Sequence, residues 1–167
     1  GNFAFFSNLK LEEVFIYKTK GDGTGKFVAD LDENGEYQSP LINNLKSIGQ
    51  SAFLNCKSLK VFDIPDSVAT IGTEAFVNCT SFGSTATEDK PFILPSSIKS
   101  YGYGAFRNTG LNYVKLEGDF SSVSIGGYLF GYTSSLKKVD LNTQETHITK
   151  IPDYMFYGSA ISPIDLT

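Results

Sequence analysis

The sequence has little of the chemistry from which metal sites and catalytic centres are built. It contains one histidine, His147, and two cysteines, Cys56 and Cys79, among 167 residues, which is too little for a zinc site or a thiol framework. Its 18 acidic residues outnumber its 14 basic ones, which disfavours binding to the phosphate backbone of nucleic acids. No stretch approaches the roughly 18 consecutive apolar residues of a membrane span. We therefore expect no nucleic-acid partner and no membrane insertion within this chain.

Catalytic motifs are equally scarce. His147 lies in the stretch NTQETHIT, which indicates an exposed turn, and no residue nearby in sequence would orient its imidazole. The sequence shows no nucleophile elbow, phosphate-binding loop or repeated set of metal ligands. The sequence therefore predicts a protein that is not an enzyme and that needs no cofactor and no metal.

Apolar residues, by contrast, suffice for a packed core, and the aromatic ones recur in a repeat. Hydrophobic residues make up 41% of the chain, which argues against disorder, and the length suits one domain over residues 1–167. The dipeptide Ala-Phe, replaced by Leu-Phe and Met-Phe in the last two cases, recurs at intervals of 48, 23, 30, 24 and 26 residues. The six phenylalanines are Phe5, Phe53, Phe76, Phe106, Phe130 and Phe156.

Two further apolar patterns accompany each phenylalanine. Five residues before each of the last five lies an isoleucine or tyrosine, followed by a glycine or proline that indicates a turn. After each comes a pattern such as Leu111, Val114 and Leu116, whose alternating end is typical of a strand with one buried face. A unit of this length has no room for a long helix, so stacked coils must bury one another's apolar sides. We predict a mainly β repeat solenoid of about six units, with a parallel β-sheet, short turns, little helix and a phenylalanine spine.

The repeat resembles a known family. The stretches SIGQSAFLNCKSLKVFDIPDSVATIGTEAFVNCTSF and SIKSYGYGAFRNTGLNYVKL resemble the BspA-like subclass of leucine-rich repeats, found largely in surface proteins of gut and oral bacteria and of some parasitic protists. The resemblance implies a right-handed leucine-rich-repeat coil and an extracellular or cell-surface location. It also implies adhesin-like binding of a host or partner protein, host extracellular matrix proteins included.

Three residues after each phenylalanine lies a small residue that can form hydrogen bonds. A turn that buries backbone groups needs such a residue to satisfy them. Cys56 and Cys79 occupy this position, where other units have asparagine, threonine or serine. This equivalence predicts free, buried thiols. Neighbouring coils would also bring the two residues within disulfide range, so a bridge in an oxidising compartment stays open.

The long interval after the first unit, at about residues 17–40, carries the turn signals GDG and NG. We predict a β-hairpin or small meander that projects from the first coil, with a degenerate extra repeat as the alternative. Residues 30–35, DLDENG, match the first half of a calcium-binding loop. Leu41 stands where that loop needs a bidentate glutamate, which favours a solvated turn over a calcium site.

Two surfaces are candidates for partner binding. The outward positions of the strands show no repeated motif, which favours a protein partner over a polymer read one unit per coil. Seven of the nine tyrosines lie between Tyr101 and Tyr157, which predicts an aromatic patch for protein or sugar, or else tyrosines that pack beside turns with only their hydroxyls in water. The strand candidates are Phe15, Asp63, Ile93, Tyr113, Lys115, Lys138 and Asp140, and the aromatic candidates are Tyr128, Tyr132, Tyr154 and Tyr157.

Three functions follow from these features. The first is a non-enzymatic interaction domain of a secreted or surface-anchored protein. The second is a rigid spacer that presents another domain, and the third is a glycan-binding accessory module that uses the tyrosine-rich half. Because the repeat is cut at both termini without a polar cap, we expect the native protein to continue in at least one direction or its ends to associate.

Overall fold

A computed structural model describes residues 1–14, 19–21, 27–29, 45–140 and 150–161. These ranges contain short strands and turns and no helix. The strands are β1 (Thr19–Gly21), β2 (Phe27–Ala29), β3 (Ser47–Ile48), β4 (Thr70–Ile71), β5 (Phe92–Leu94), β6 (Ser100–Tyr101), β7 (Tyr113–Leu116), β8 (Ser124–Ile125) and β9 (Lys138–Asp140). They form an antiparallel pair, β1-β2, and two parallel sheets, β3-β4-β6-β8 and β5-β7-β9.

Successive coils stack in parallel and in register. In the first parallel sheet Ile71 pairs with Ile48 of the preceding coil and Tyr101 of the following one. In the second, Val114 pairs with Phe92 on one side and Val139 on the other. Because each pair joins residues from the same position of successive repeats, the predicted parallel β-solenoid is confirmed.

The β3-β4-β6-β8 sheet was not predicted. Its strands are two residues long, and each ends at the residue before a glycine, where the sequence indicated only a turn. The glycine is needed because the coils approach closely here. A Cβ atom on Gly72 would lie 2.6 Å from the backbone nitrogen of Gln50, and one on Gly102 would clash with the backbone of Thr73.

A column of stacked phenylalanine rings runs through the core, as predicted. From Phe5 to Phe156, consecutive ring centroids lie 5.1, 4.9, 5.3, 5.9 and 5.9 Å apart, and the rings are nearly parallel. Phe76 and Phe106 in the middle are fully buried, whereas Phe5 at one end is 40% exposed. The column therefore has a dry centre and an end that is open to solvent.

The small residues that follow the last five phenylalanines donate to backbone carbonyls, as the sequence predicts. Cys79 donates from Sγ to the carbonyl of Phe53 at 3.0 Å, and Thr133 donates from Oγ1 to that of Phe106 at 3.1 Å. Both cysteines carry free thiols and are buried, and Cys56 donates to the carbonyl of Phe5. Burial raises the pKa of both thiols, so each stays protonated and serves as a donor.

Tyr101 occupies the column that other coils fill with isoleucine. It is 1% exposed, and its hydroxyl has no hydrogen-bond partner within the described part of the chain. Burial raises the pKa of this phenol, so a neutral hydroxyl is held among apolar groups. An unpaired buried hydroxyl costs about 1 to 3 kcal/mol.

We therefore expect Tyr101→Phe to raise the free energy of unfolding by about 1 kcal/mol, because it removes the unpaired hydroxyl and keeps the ring. This corresponds to a rise of roughly 2 to 4 °C in melting temperature, measurable by calorimetry. Tyr103→Phe is the control, since the exposed Tyr103 hydroxyl reaches water. A lower melting temperature for Tyr101→Phe would show that the hydroxyl is satisfied after all.

The antiparallel pair β1-β2 falls inside the interval for which the sequence predicts a hairpin. Thr19 pairs with Ala29 and Gly21 with Phe27. The half-matched calcium loop at 30–35, the candidate Phe15 and His147 all lie outside the described residues.

Candidate functional site

The predicted partner-binding residues within the described ranges fall into two groups. Ile93, Lys115 and Asp140 pair in one row across the β5-β7-β9 sheet, and Tyr113 and Lys138 pair in the next. The four predicted tyrosines lie instead on the turns around the phenylalanine column. The two groups are therefore separate surfaces.

The strand face carries paired charges rather than an apolar centre. Lys115 lies 3.2 Å from Glu117, and Lys138 lies 2.8 Å from Glu88 on the inserted loop. Exposed ion pairs of this kind contribute roughly 0 to 1 kcal/mol each. Ile93 is an exposed apolar side chain among them. This face offers a partner little apolar area in one place.

Asp63 lies beside the row of Ile93, Lys115 and Asp140 but is not paired with it in the described residues. Its segment is bridged to the first coil through Val61 and Glu13, and within the described ranges it forms no ladder with β5. The insertion in the third repeat, at 84–90, enters between the two segments and leaves a groove of about 540 Å³ that Asp63 and Ile93 both line.

The tyrosines, in contrast, form one contiguous cluster. Tyr128 stacks on Tyr154 with centroids 4.9 Å apart and on Tyr132 at 6.2 Å, and Tyr157 meets Tyr132 edge-on at 5.3 Å. Tyr103, which the sequence also places outside the phenylalanine spine, joins the cluster 5.5 Å from Tyr128. Tyr128 is half-buried, and the other four are 45% to 59% exposed. We call these five residues the tyrosine patch.

Three tyrosines of the patch have an unusual backbone conformation. Two positions in each coil are left-handed, and at these positions Tyr128, Tyr132 and Tyr154 have φ of 57°, 56° and 59°. Other coils place Asn78 or Gly104 there, for which this region is accessible. A left-handed conformation costs other residues roughly 1 to 2 kcal/mol each. Because Ser51 and Glu74 have the same conformation in other coils, it is a property of the repeat and is not specific to the patch.

Glycines beneath the rings explain how the patch fits together. A Cβ atom on Gly131 would lie 2.8 Å from the Tyr128 ring, and one on Gly158 would lie 2.9 Å from the Tyr132 ring. The rings thus lie directly over backbone. In the sequence each of these glycines lies close to tyrosines, in YLFGY at 128–132 and YMFYG at 154–158.

A groove of about 610 Å³ continues from one side of the patch. In the preceding coils the glycine N–H donates to the coil before it, as Gly126 does to Tyr101 at 2.8 Å. Pro152 replaces that glycine and has no N–H to donate. The sheet consequently ends at β8 in the described residues, and Ile151 is 42% exposed although the sequence pattern places it in a buried column.

Charge at the patch is low. Partial desolvation, and then the neighbouring phenols Tyr132 and Tyr103, raise the pKa of Tyr128, so this ring stays neutral at physiological pH. Lys150 and Asp153 line the groove with opposite charges. Among the described residues no group of three or more metal-binding side chains comes together, and no helix there is long and apolar enough to span a bilayer.

Comparison with known proteins identifies the repeat. The model of the BspA type leucine rich repeat region matches residues 46–167 in six copies. The chain belongs to the BspA-type leucine-rich-repeat family. A crystal structure of a leucine-rich repeat protein from Bacteroides ovatus superposes with a TM-score of 0.62 at 24% identity, covering 99% of this chain and 35% of that one, and it shows the same fold. No curated protein matches the chain.

The family and the fold are those of a protein-interaction repeat module. The first coil precedes the matched residues, yet Phe5 continues the ring column onto Phe53. The BspA-type repeat therefore provides the scaffold, and the tyrosine patch is a feature of particular coils within it.

Proposed function

We propose that this chain is a non-enzymatic interaction domain of a surface or secreted protein and that it binds a partner protein through the tyrosine patch. The observation that carries the proposal is the contiguity of five tyrosines, four of them substantially exposed. Tyrosine is enriched in protein interfaces and among the residues that dominate their binding energy.

The geometry of the patch suits binding because its rings are already ordered. Tyr128 contacts the other four rings, and its backbone N–H is bonded to the carbonyl of Asp153 at 3.1 Å. A side chain that is fixed before binding loses less conformational entropy when the partner arrives, so more of the contact energy appears as affinity. The strand face, with its solvent-exposed ion pairs, has no comparable group of ordered apolar side chains.

Host extracellular matrix proteins are the partner class that we propose. Proteins with BspA-type repeats are commonly surface-associated, which supports an adhesin-like role for this domain. The competing function is a rigid spacer that binds nothing.

Binding to immobilised fibronectin, laminin and collagen, followed by biolayer interferometry, tests the proposal. The patch variant is Tyr132→Ser, because Ser7 occupies the equivalent left-handed position in the first coil with φ of 54°. The control is Ile93→Ser on the strand face, since Ile93 and Tyr132 are 45% and 46% exposed. Loss of an interface tyrosine costs at least 1 to 2 kcal/mol, so we expect Tyr132→Ser to weaken binding about tenfold and Ile93→Ser to leave it within about twofold.

Two results would count against the proposal. If the wild-type domain binds none of the three proteins, the spacer is favoured. If Ile93→Ser abolishes binding and Tyr132→Ser does not, the strand face is the contact surface and the tyrosine patch is structural.

A further inference from the structure

The groove beside the tyrosine patch has the make-up of a small-ligand site that is distinct from a flat protein contact. Tyr103, Tyr128 and Tyr154 form its aromatic side, whereas Tyr132 and Tyr157 of the same patch lie outside it. Phe120, which is almost completely buried, and Val123 also line it. Its volume of about 610 Å³ lies within the usual range for ligand pockets, roughly 300 to 1,000 Å³.

The floor of the groove presents an open backbone acceptor. Ile125 lies on β8, and its neighbours Ser124 and Gly126 donate toward the preceding coil, so the carbonyl of Ile125 faces the following one. Pro152 stands where that coil would supply a donor and has none. Across the described ranges no N–H or O–H donates to this carbonyl. A ligand that brings a hydroxyl donor would satisfy it.

The charges of the groove favour a neutral ligand. Lys150 and Asp153 both line it, and neither forms an ion pair with another described residue. A cation would be attracted by Asp153 and repelled by Lys150, and an anion the reverse, so a charged ligand gains little from the pair. A neutral ligand with several hydroxyls can accept from the ammonium group and donate to the carboxylate.

We propose that this groove binds a neutral saccharide. The C–H groups on the face of a sugar ring carry slight positive charge and pack against the negative face of a tyrosine ring. The sugar hydroxyls meet Lys150, Asp153 and the carbonyl of Ile125. An extended peptide fits less well, because β8 offers only the backbone of Ile125 as a free edge, too short for a strand to pair along. The site does not depend on a protein partner.

Titration of the whole chain with maltose, cellobiose and N,N′-diacetylchitobiose, followed by NMR of the tyrosine rings and by calorimetry, tests the proposal. The groove variant is Tyr103→Ser with Tyr154→Ser, and the matched control is Tyr132→Ser with Tyr157→Ser. Each pair removes two rings that are about half exposed, one of them from a left-handed position. We expect saturable binding of at least one sugar, weakened about tenfold or more by the groove variant and less than about twofold by the control.

Equal loss in both variants, or saturable binding of none of the three sugars, would overturn the proposal. The sugar could be free or carried by a glycoprotein. Binding of a matrix protein before and after enzymatic removal of its glycans separates these sources. If deglycosylation of the matrix protein weakens its binding to the wild type as much as the groove variant does, the sugar is carried by the protein. If Tyr132→Ser weakens binding of the matrix protein while deglycosylation and the groove variant do not, the contact is with the protein itself, and a saccharide contribution is contradicted.

Discussion

Phe76→Ala is expected to lower the free energy of unfolding by about 3 to 5 kcal/mol. This loss is close to the whole free energy of unfolding of a marginally stable domain. Phe76 is fully buried and stacks on Phe53 at 4.9 Å and on Phe106 at 5.3 Å. Its removal would leave a cavity bordered by rings that are fixed by their own coils. Equilibrium denaturation in urea, read by circular dichroism, measures the loss.

Phe5→Ala is the matched control for that experiment. Phe5 belongs to the same column but is 40% exposed and stacks on one neighbour, Phe53, so we expect a loss of only about 1 to 2 kcal/mol. Stacked coils predict this gradient, because stability in a solenoid is a sum over neighbouring repeats. Equal losses for Phe5→Ala and Phe76→Ala would contradict it.

Gly102→Ala is expected to lower the free energy of unfolding by about 3 kcal/mol, nearly as much as Phe76→Ala, although it adds a single methyl group. A Cβ atom at Gly102 would overlap the backbone of Thr73, which is held in the neighbouring coil and cannot rotate away as a side chain could. The two coils would have to separate, and the hydrogen bond from Gly102 N–H to the carbonyl of Ile71, 2.8 Å long, would weaken.

Gly131→Ala separates this steric effect from the general cost of replacing glycine. A Cβ atom at Gly131 would meet the ring of the partly exposed Tyr128, 2.8 Å away, rather than the backbone of a neighbouring coil. We expect a change in the free energy of unfolding below about 1 kcal/mol. Thermal melts of Gly102→Ala and Gly131→Ala measure the difference between the two effects. Equal destabilisation would mean that close contact of the coils at Gly102 does not limit the side chain there.

The stacked architecture could be predicted from the sequence because its elements recur. Phe53 and Phe76 are 23 residues apart, each preceded by alanine and followed by an aliphatic residue, asparagine and cysteine, and stacking gives both the same buried environment. Cys79 could likewise be interpreted as a hydrogen-bond donor because threonine and serine occupy its position in other coils. The β3-β4-β6-β8 sheet escaped prediction because strands of two residues leave no alternating pattern in the sequence.

The candidate site could be predicted only in part, because it depends on departures from the repeat. The individual tyrosines were visible, but their contact was not, since it depends on left-handed turns that place Tyr128 over Gly131. The open carbonyl in the groove depends on Pro152, which replaces the glycine of the preceding coils. That proline removes a hydrogen-bond donor, and only the structure shows which carbonyl of the preceding coil loses its partner. The second groove, which Asp63 and Ile93 line together with Thr85 and Ala86, was not predicted, because the path of an insertion cannot be derived from periodicity.

Hydrogen exchange at single-residue resolution tests most directly whether equivalent residues of successive coils lie on one another. The amides of Phe76 and Phe106 donate to the carbonyls of Ala105 and Leu129 in the next coil, at 2.8 and 3.0 Å. We predict that these two amides exchange only through global unfolding, and that Phe5 exchanges faster because its coil is at the open end. Fast exchange at Phe76 and Phe106, or no difference between them and Phe5, would contradict the stacked solenoid.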